Sequence, residues 1–298
     1  MMATAYNRIQ ARKLLDCAYD SIRDKDFDGA FKFVEQALKH NPENVDGYLC
    51  RAEIFERLND NESAISECTK AIEIDPERWV SYSNRAYCQR KSNPEKAIPD
   101  CSRVIELTGG KFDAYIQRAG CYLAIGQFDH CVEDATSAFD CDPDGYEALV
   151  YRAYGYANLQ SWQLALDDLN FLLSHRASKV FLFYRSICLT ELGRYAEALE
   201  DAQRFDDWFG ASKGASEFCR AYAQHAQGDL DAALVNLNFA CEKLSEFKPV
   251  FEKRAAVYKD LGRSSDAEAD LSTASNLELK FFSVNLADPQ RDFVNLNF

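Results

Sequence analysis

The absences in this sequence bound it first. Its longest apolar runs, such as Phe171 to Leu173 and Val180 to Tyr184, fall far short of the roughly 20 residues a bilayer-spanning helix needs, so no membrane insertion is expected. No two of its 11 cysteines are spaced as Cys-x-x-Cys, and its 4 histidines (His40, His130, His175, His225) lie far apart, so zinc has no ligand set to draw on. Basic residues are the minority: 34 Lys and Arg stand against 48 Asp and Glu, a net charge of −14. That balance opposes nucleic acid and anionic membrane surfaces, both of which are read by clustered cations. A phosphate-binding glycine loop, a nucleophile elbow and a His-Glu-x-x-His helix are also missing, so the chain reads as non-enzymatic and implies no cofactor. Paired carboxylates such as Asp167-Asp168 and Asp206-Asp207 read as solvated helix faces. The amino terminus shows neither a basic start followed by an apolar stretch nor a small-residue cleavage site. A cytoplasmic chain with reduced thiols is therefore the expectation.

What is present is a repeat. An Arg-Ala pair recurs as Arg51-Ala52, Arg85-Ala86, Arg118-Ala119, Arg152-Ala153, Arg220-Ala221 and Arg254-Ala255, with Arg185-Ser186 as the variant. Alanines follow in the second half of each unit, as Ala30 and Ala37, Ala64 and Ala71, Ala198 and Ala202, Ala233 and Ala240, or Ala267 and Ala274. Residues this small let two helices approach closely. Apolar positions within a unit recur at three and four residues, as in Tyr115, Ala119 and Tyr122, the period of an amphipathic helix and not of a strand. Gly126, Gly193, Gly228 and Gly262 punctuate mid-unit, where a positive φ ends the first helix at little cost. Pro42, Pro76 and Pro143 close the unit by stopping the second helix.

These features resemble the tetratricopeptide repeat, and residues 112 to 145, FDAYIQRAGCYLAIGQFDHCVEDATSAFDCDPDG, match nearly every element of its signature. The resemblance implies an all-α fold, a right-handed α-solenoid superhelix of about eight helix-turn-helix repeats. The units fall near residues 11–44, 45–78, 79–111, 112–145, 146–178, 179–213, 214–247 and 248–281. Residues 1–10 read as an N-terminal lead-in and 282–298 as an apolar C-terminal tail. Three departures carry expectations. In the short third unit, Pro94 and Pro99 lie near the start of the second helix, where Pro99 removes a hydrogen bond and should bend it. The segment FDDWFGASKGAS, with Trp208 and Phe209, is expected to be an irregular loop. The first unit has Cys17-Ala18 in place of Arg-Ala, as suits a terminal unit.

Each of the seven arginines precedes, by fifteen or sixteen residues, an acid or amide: Glu67, Asp100, Asp134, Asp168, Asp201, Asn236 and Asp270. That separation brings the two side chains level on the facing helices of a hairpin and predicts a ladder of buried ion pairs. The ladder reads as structural, because each arginine has its own local partner. Cysteines follow the repeat too. Cys88, Cys121 and Cys188 share one place in the first helix, and Cys68 and Cys101 share one in the second, as small packing residues do. Cys50 and Cys219 fall on the face expected to line a groove.

In tetratricopeptide proteins the first helices line a concave surface. The residues expected there are Tyr87, Tyr151, Tyr154, Asn158, Phe183, Tyr184, Phe218 and Tyr222, with Asn84, Gln117 and His225 among them. Aromatic anchors dominate binding hot spots, although about half of these rings are expected to pack between repeats instead. A subset of the family clamps acidic carboxylate tails with Lys and Asn at set places. Here those places hold Leu15, Tyr19, Cys50, Val80 and Asn84, so an apolar or aromatic peptide, or a partner helix, fits better. The tail carries Phe282, Phe293, Leu296 and Phe298, which are costly to leave in water. It is expected to cover the eighth unit, to enter a groove of its own or a neighbouring molecule and so form a homodimer, or to dock elsewhere. The implied function is a non-catalytic scaffold or adaptor for a protein or peptide partner. The alternative is a structural subunit assembled through the tail and the array ends.

Overall fold

The structure, a computed structural model, describes residues 2–209 and 214–277. Its described elements are sixteen helices, with no strand among the described residues, and the chain divides into two compact units, Met1–Gly145 and Tyr146–Phe298. The first unit holds α1 (Met2–Arg23), α2 (Phe27–His40), α3 (Val45–Arg57), α4 (Asn61–Ile74), α5 (Trp79–Ser92), α6 (Pro94–Thr108), α7 (Phe112–Ala124) and α8 (Phe128–Cys141). The second holds α9 (Tyr146–Asn158), α10 (Trp162–His175), α11 (Lys179–Glu191), α12 (Tyr195–Phe209), α13 (Ala215–Ala226), α14 (Leu230–Lys243), α15 (Lys248–Asp260) and α16 (Ser264–Ser275). Each odd helix packs on the even helix that follows it, so the fold is the tetratricopeptide type of helical hairpin.

Local chemistry explains the breaks. Within hairpins the chain turns through the left-handed region at Gly126, Gly193, Gly228 and Gly262, with φ of 76°, 73°, 82° and 72°. Lys25, Asn59 and Gln160 adopt the same conformation, at 63°, 64° and 58°, without the freedom of glycine. Several second helices open on an acidic cap: Asp26 accepts from the Gly29 N–H at 2.9 Å, Asp60 from Ser63 at 3.1 Å and Asp229 from Ala232 at 3.2 Å. Each cap satisfies an otherwise unpaired N–H of the first turn. Pro42 and Pro76 lie in the turns between hairpins, where the Tyr48 and Tyr82 hydroxyls donate to their carbonyls at 3.0 and 3.1 Å.

Residues 2–10, read as a lead-in, form the first part of α1. The helix α6 is continuous through Pro99, whose ring is on the exposed side. One expectation needs correction: Trp208 and Phe209 end α12 and are not loop residues. Residues 210–213 lie outside the described residues, as does the tail with Phe282, Phe293, Leu296 and Phe298.

The paired alanines are fully or almost fully buried between helices. First helices of consecutive hairpins touch directly: α1 on α3, α3 on α5 and α5 on α7 in one unit, α11 on α13 and α13 on α15 in the other. Second helices make no comparable contact with one another among the described residues. Within each unit the first helices therefore form the inner side.

Candidate functional site

The arginine ladder is the frame of that inner side. Arg51 Nε donates to Glu67 at 2.8 Å, Arg85 to Asp100 at 2.7 Å, Arg118 to Asp134 at 2.8 Å, Arg152 to Asp168 at 2.9 Å, Arg185 to Asp201 at 2.8 Å and Arg254 to Asp270 at 2.8 Å. All six acids are buried. The seventh pair fails: Arg220 bonds Asp206 of α12, while the Asn236 amide donates to Gln224 at 2.8 Å. An amide offers one oxygen where the guanidinium fork wants two, so the arginine takes the nearby carboxylate. Sequence reasoning missed a second set of bonds, which runs back to the preceding hairpin. Nη1 of Arg85, Arg118, Arg185 and Arg254 donates to Thr69, Ser102, Asn170 and Asn238 at 3.2, 2.9, 3.0 and 3.1 Å. A polar residue fifteen or sixteen positions before each of these arginines was the available signal.

In the first unit a cavity of about 220 Å³ opens between α3 and α5, lined by Glu53, Glu56, Arg57, Asn84 and Tyr87 over Ala52, Cys68 and Cys88. Beside it, Gln117 donates to Ser83 at 3.4 Å. A more open cavity of about 500 Å³, with Arg8, Arg12, Asp16 and Tyr19 facing Glu43 and Asp46, carries charges of both signs.

In the second unit the aromatic residues sort into floor and rim. Tyr151, Tyr154, Phe183 and Phe218 are only 1–3 % exposed and are not available to a partner. The Tyr154 ring lies 4.4 Å from that of Tyr184, and Phe183 stacks on Phe218 at 5.6 Å with Phe247 edge-on. These rings wedge between successive first helices because their neighbours there, such as Ala153 and Ala221, are small. Tyr184 and Tyr222 are half-buried and Asn158 is exposed, as Tyr87 is half-buried in the first unit. The groove expectation also fails for Cys50 and Cys219, which are buried; burial pushes both thiols up to about 12.

Beyond the polar groups expected there, such as His225, the rim carries the charged residues Glu191, Lys253 and Asp260. Tyr222 Oη donates to Glu191 at 2.5 Å, Lys253 Nζ lies 3.6 Å from the centre of the Tyr222 ring, and His225 Nε2 is 2.7 Å from Asp260. Burial holds the Lys253 ammonium below its ordinary range and lifts the Tyr222 hydroxyl. Register within the repeat could have found these residues. Lys253 occupies the place of Tyr184, one before the arginine, while Glu191 and Asp260 occupy that of Asn158, six after it. Among the described residues no group of three or more His, Cys, Asp or Glu could hold a metal ion, and no helix is long and apolar enough to cross a membrane.

Known proteins share this architecture. Residues 23–78 match the family model described as tetratricopeptide repeat. A tetratricopeptide repeat protein from Parabacteroides merdae superimposes with a TM-score of 0.60 at 16% identity, covering 83% of this chain and 98% of that one. PilW, a widely conserved type IV pilus biogenesis factor, gives 0.59 at 19% identity over 73% and 98%. MamA from Desulfovibrio magneticus, from its residue 41 to its end, gives 0.52 at 14% identity over 55% and 94%.

Proposed function

We propose that this tetratricopeptide-repeat protein is a non-catalytic scaffold or adaptor, working in the cytoplasm, which holds a protein segment against the first helices of its second unit. The observation that carries the reading is the rim of Asn158, Tyr184, Glu191, Tyr222 and Lys253 over a floor of buried rings. Half-exposed tyrosines on a preordered floor offer large contact area with few torsions to freeze. Polar tips among them suit a peptide that presents backbone and aromatic or apolar side chains. The net charge of −14 favours a protein partner over nucleic acid. The test is affinity capture from the native organism, with the tagged full chain compared against a Tyr184→Ala/Tyr222→Ala double variant. Loss of a specific protein from the variant supports the reading. Retention of every captured protein overturns it.

A second reading, a structural subunit joined through its tail, is favoured by one contact. Leu277, the last described residue, packs on the core of the second unit, and the sequence that follows it carries the apolar Phe282, Phe293, Leu296 and Phe298. Deleting residues 283–298 separates the cases: a dimer becoming monomeric supports exchange, and lower thermal stability at unchanged mass supports a cap.

A further inference from the structure

We infer that residues 282–298 of this chain are the resident ligand of the groove in the second unit: the apolar segment lies over Tyr154, and an outside segment binds by displacing it. The inference rests on the partner-binding reading only for that last step. Its starting point is one place in the repeat, two residues after the arginine on the inner side. Glu53, Tyr87, Gly120, Ile187, Tyr222 and Ala256 hold that place in six hairpins, and all are partly open. Tyr154 holds it in the fifth hairpin, with a large side chain, and is only 2% exposed. The Tyr184 ring, 4.4 Å away, covers one face of it, and the rest needs a further cover. The hydroxyl identifies the chemistry of that cover. Tyr154 Oη is shut off from water and meets no hydrogen-bond partner, so neither solvent nor a polar group lies against it and the cover is hydrocarbon.

Three observations make residues 282–298 its source. The segment is apolar, with Phe282, Phe293, Leu296 and Phe298, side chains that are costly to leave in water. Leu277, shortly before it, packs on the cluster that holds Leu182, Phe183 and Phe218 of the first helices, and the compact second unit runs from Tyr146 to Phe298. Reach is ample. The 21 residues after Leu277 span up to roughly 70 Å at about 3.3 Å each, whereas α15 lies about 30 Å from α9 at about 8–10 Å for each packed pair of helices. Tethering raises the local concentration of the segment far above that of a free ligand, so the groove stays filled until a stronger or more abundant segment arrives. The groove accordingly fits an outside partner of the same kind, one that presents apolar and aromatic anchors.

Hydroxyl-radical footprinting of the full chain, read by mass spectrometry, tests this without any partner. Tyr154 should be protected relative to the half-buried Tyr87 of the first unit, the internal reference. In Phe293→Asp/Leu296→Asp, checked for unchanged helicity by circular dichroism, Tyr154 reactivity should rise to that of Tyr87. A synthetic peptide of residues 282–298, added in excess to this variant, should restore the protection. The milder Leu296→Asp should move Tyr154 in the same direction, and replaces the double variant if that one fails to fold. Tyr154 that stays protected in a folded variant would overturn the inference. Protection of the unaltered chain should also persist on dilution to a monomer, measured by light scattering; protection lost together with a dimer would give the groove to a second copy and overturn it too. Failure of affinity capture alone removes the outside partner and leaves the resident segment in place.

Discussion

Arg220 bonds Asp206 of the helix before it and leaves Asn236, its counterpart within the hairpin, to Gln224. The sixth joint is thus held by a charge pair that crosses between hairpins. Asp206→Ala should lower stability by about 2–4 kcal/mol, the cost of stranding a half-buried guanidinium, whereas Asn236→Ala should cost well under half as much. Urea titrations of both variants decide it, and equal losses would show that the arginine has returned to its own hairpin.

Within the regular rungs the expectation is larger. Arg118→Ala leaves Asp134, 4% exposed, without its forked partner, and a loss of about 3–5 kcal/mol is expected. Because the carboxylate is shielded, this loss should change little between low and high salt. A strong salt dependence would argue that the pair is solvated.

The hairpin turn offers a gain. Gln160 sits at φ 58° where other hairpins use glycine, and left-handed backbone costs a side-chain-bearing residue about 1–2 kcal/mol. Gln160→Gly should raise Tm, with a net gain of about 0.5–1 kcal/mol after the entropy that glycine loses on folding. Gly193→Ala, the reverse change at φ 73°, should lower it.

The Tyr154 hydroxyl is buried with no hydrogen-bond partner, and burial drives its pKa well up. An unpaired buried hydroxyl costs about 1–3 kcal/mol, so Tyr154→Phe should match or exceed the wild-type stability. Tyr154→Ala, which empties the floor beneath Tyr184, should lose about 3–5 kcal/mol. A destabilised Tyr154→Phe protein would mean that the hydroxyl bonds a group the structure does not show.

Thiols set the alkaline limit. Burial raises Cys50, Cys68, Cys131, Cys188, Cys219 and Cys241 from 9.0 to about 12. Groups whose folded pKa is raised contribute stability that is complete below the unfolded value and is lost as pH climbs towards the folded one. Stability should therefore fall between pH 9 and about 12. Lys253, lowered from 10.5, and Cys121, lowered from 9.0, act in the opposite sense. Denaturation midpoints at about pH 8 and about pH 10.5 measure the slope. A thiol reagent should modify the exposed Cys17 and Cys141 well before the buried six.

The hairpins were legible in the sequence because their determinants are local. Gly126 ends one helix through its φ, Pro143 marks the turn before the next hairpin, and Arg118 finds Asp134 at a fixed separation. The floor and rim of the candidate site were not, because Tyr154 and Tyr222 sit at equivalent repeat positions two residues after the arginine. Only the size and placement of their neighbours decide that one is buried and the other half-exposed. The charged rim of Lys253 and Glu191 was hidden because its contacts join different hairpins.

Arg85, Arg118, Arg185 and Arg254 each bond their own hairpin and the one before. A hairpin carrying such a residue cannot melt in isolation, since its departure leaves a polar group on its predecessor unsatisfied and a guanidinium adrift. Disorder should then spread as a travelling front, with a high threshold for starting inside a unit and a lower one at its ends. Sealed against internal rupture, each unit would yield first by fraying from its ends.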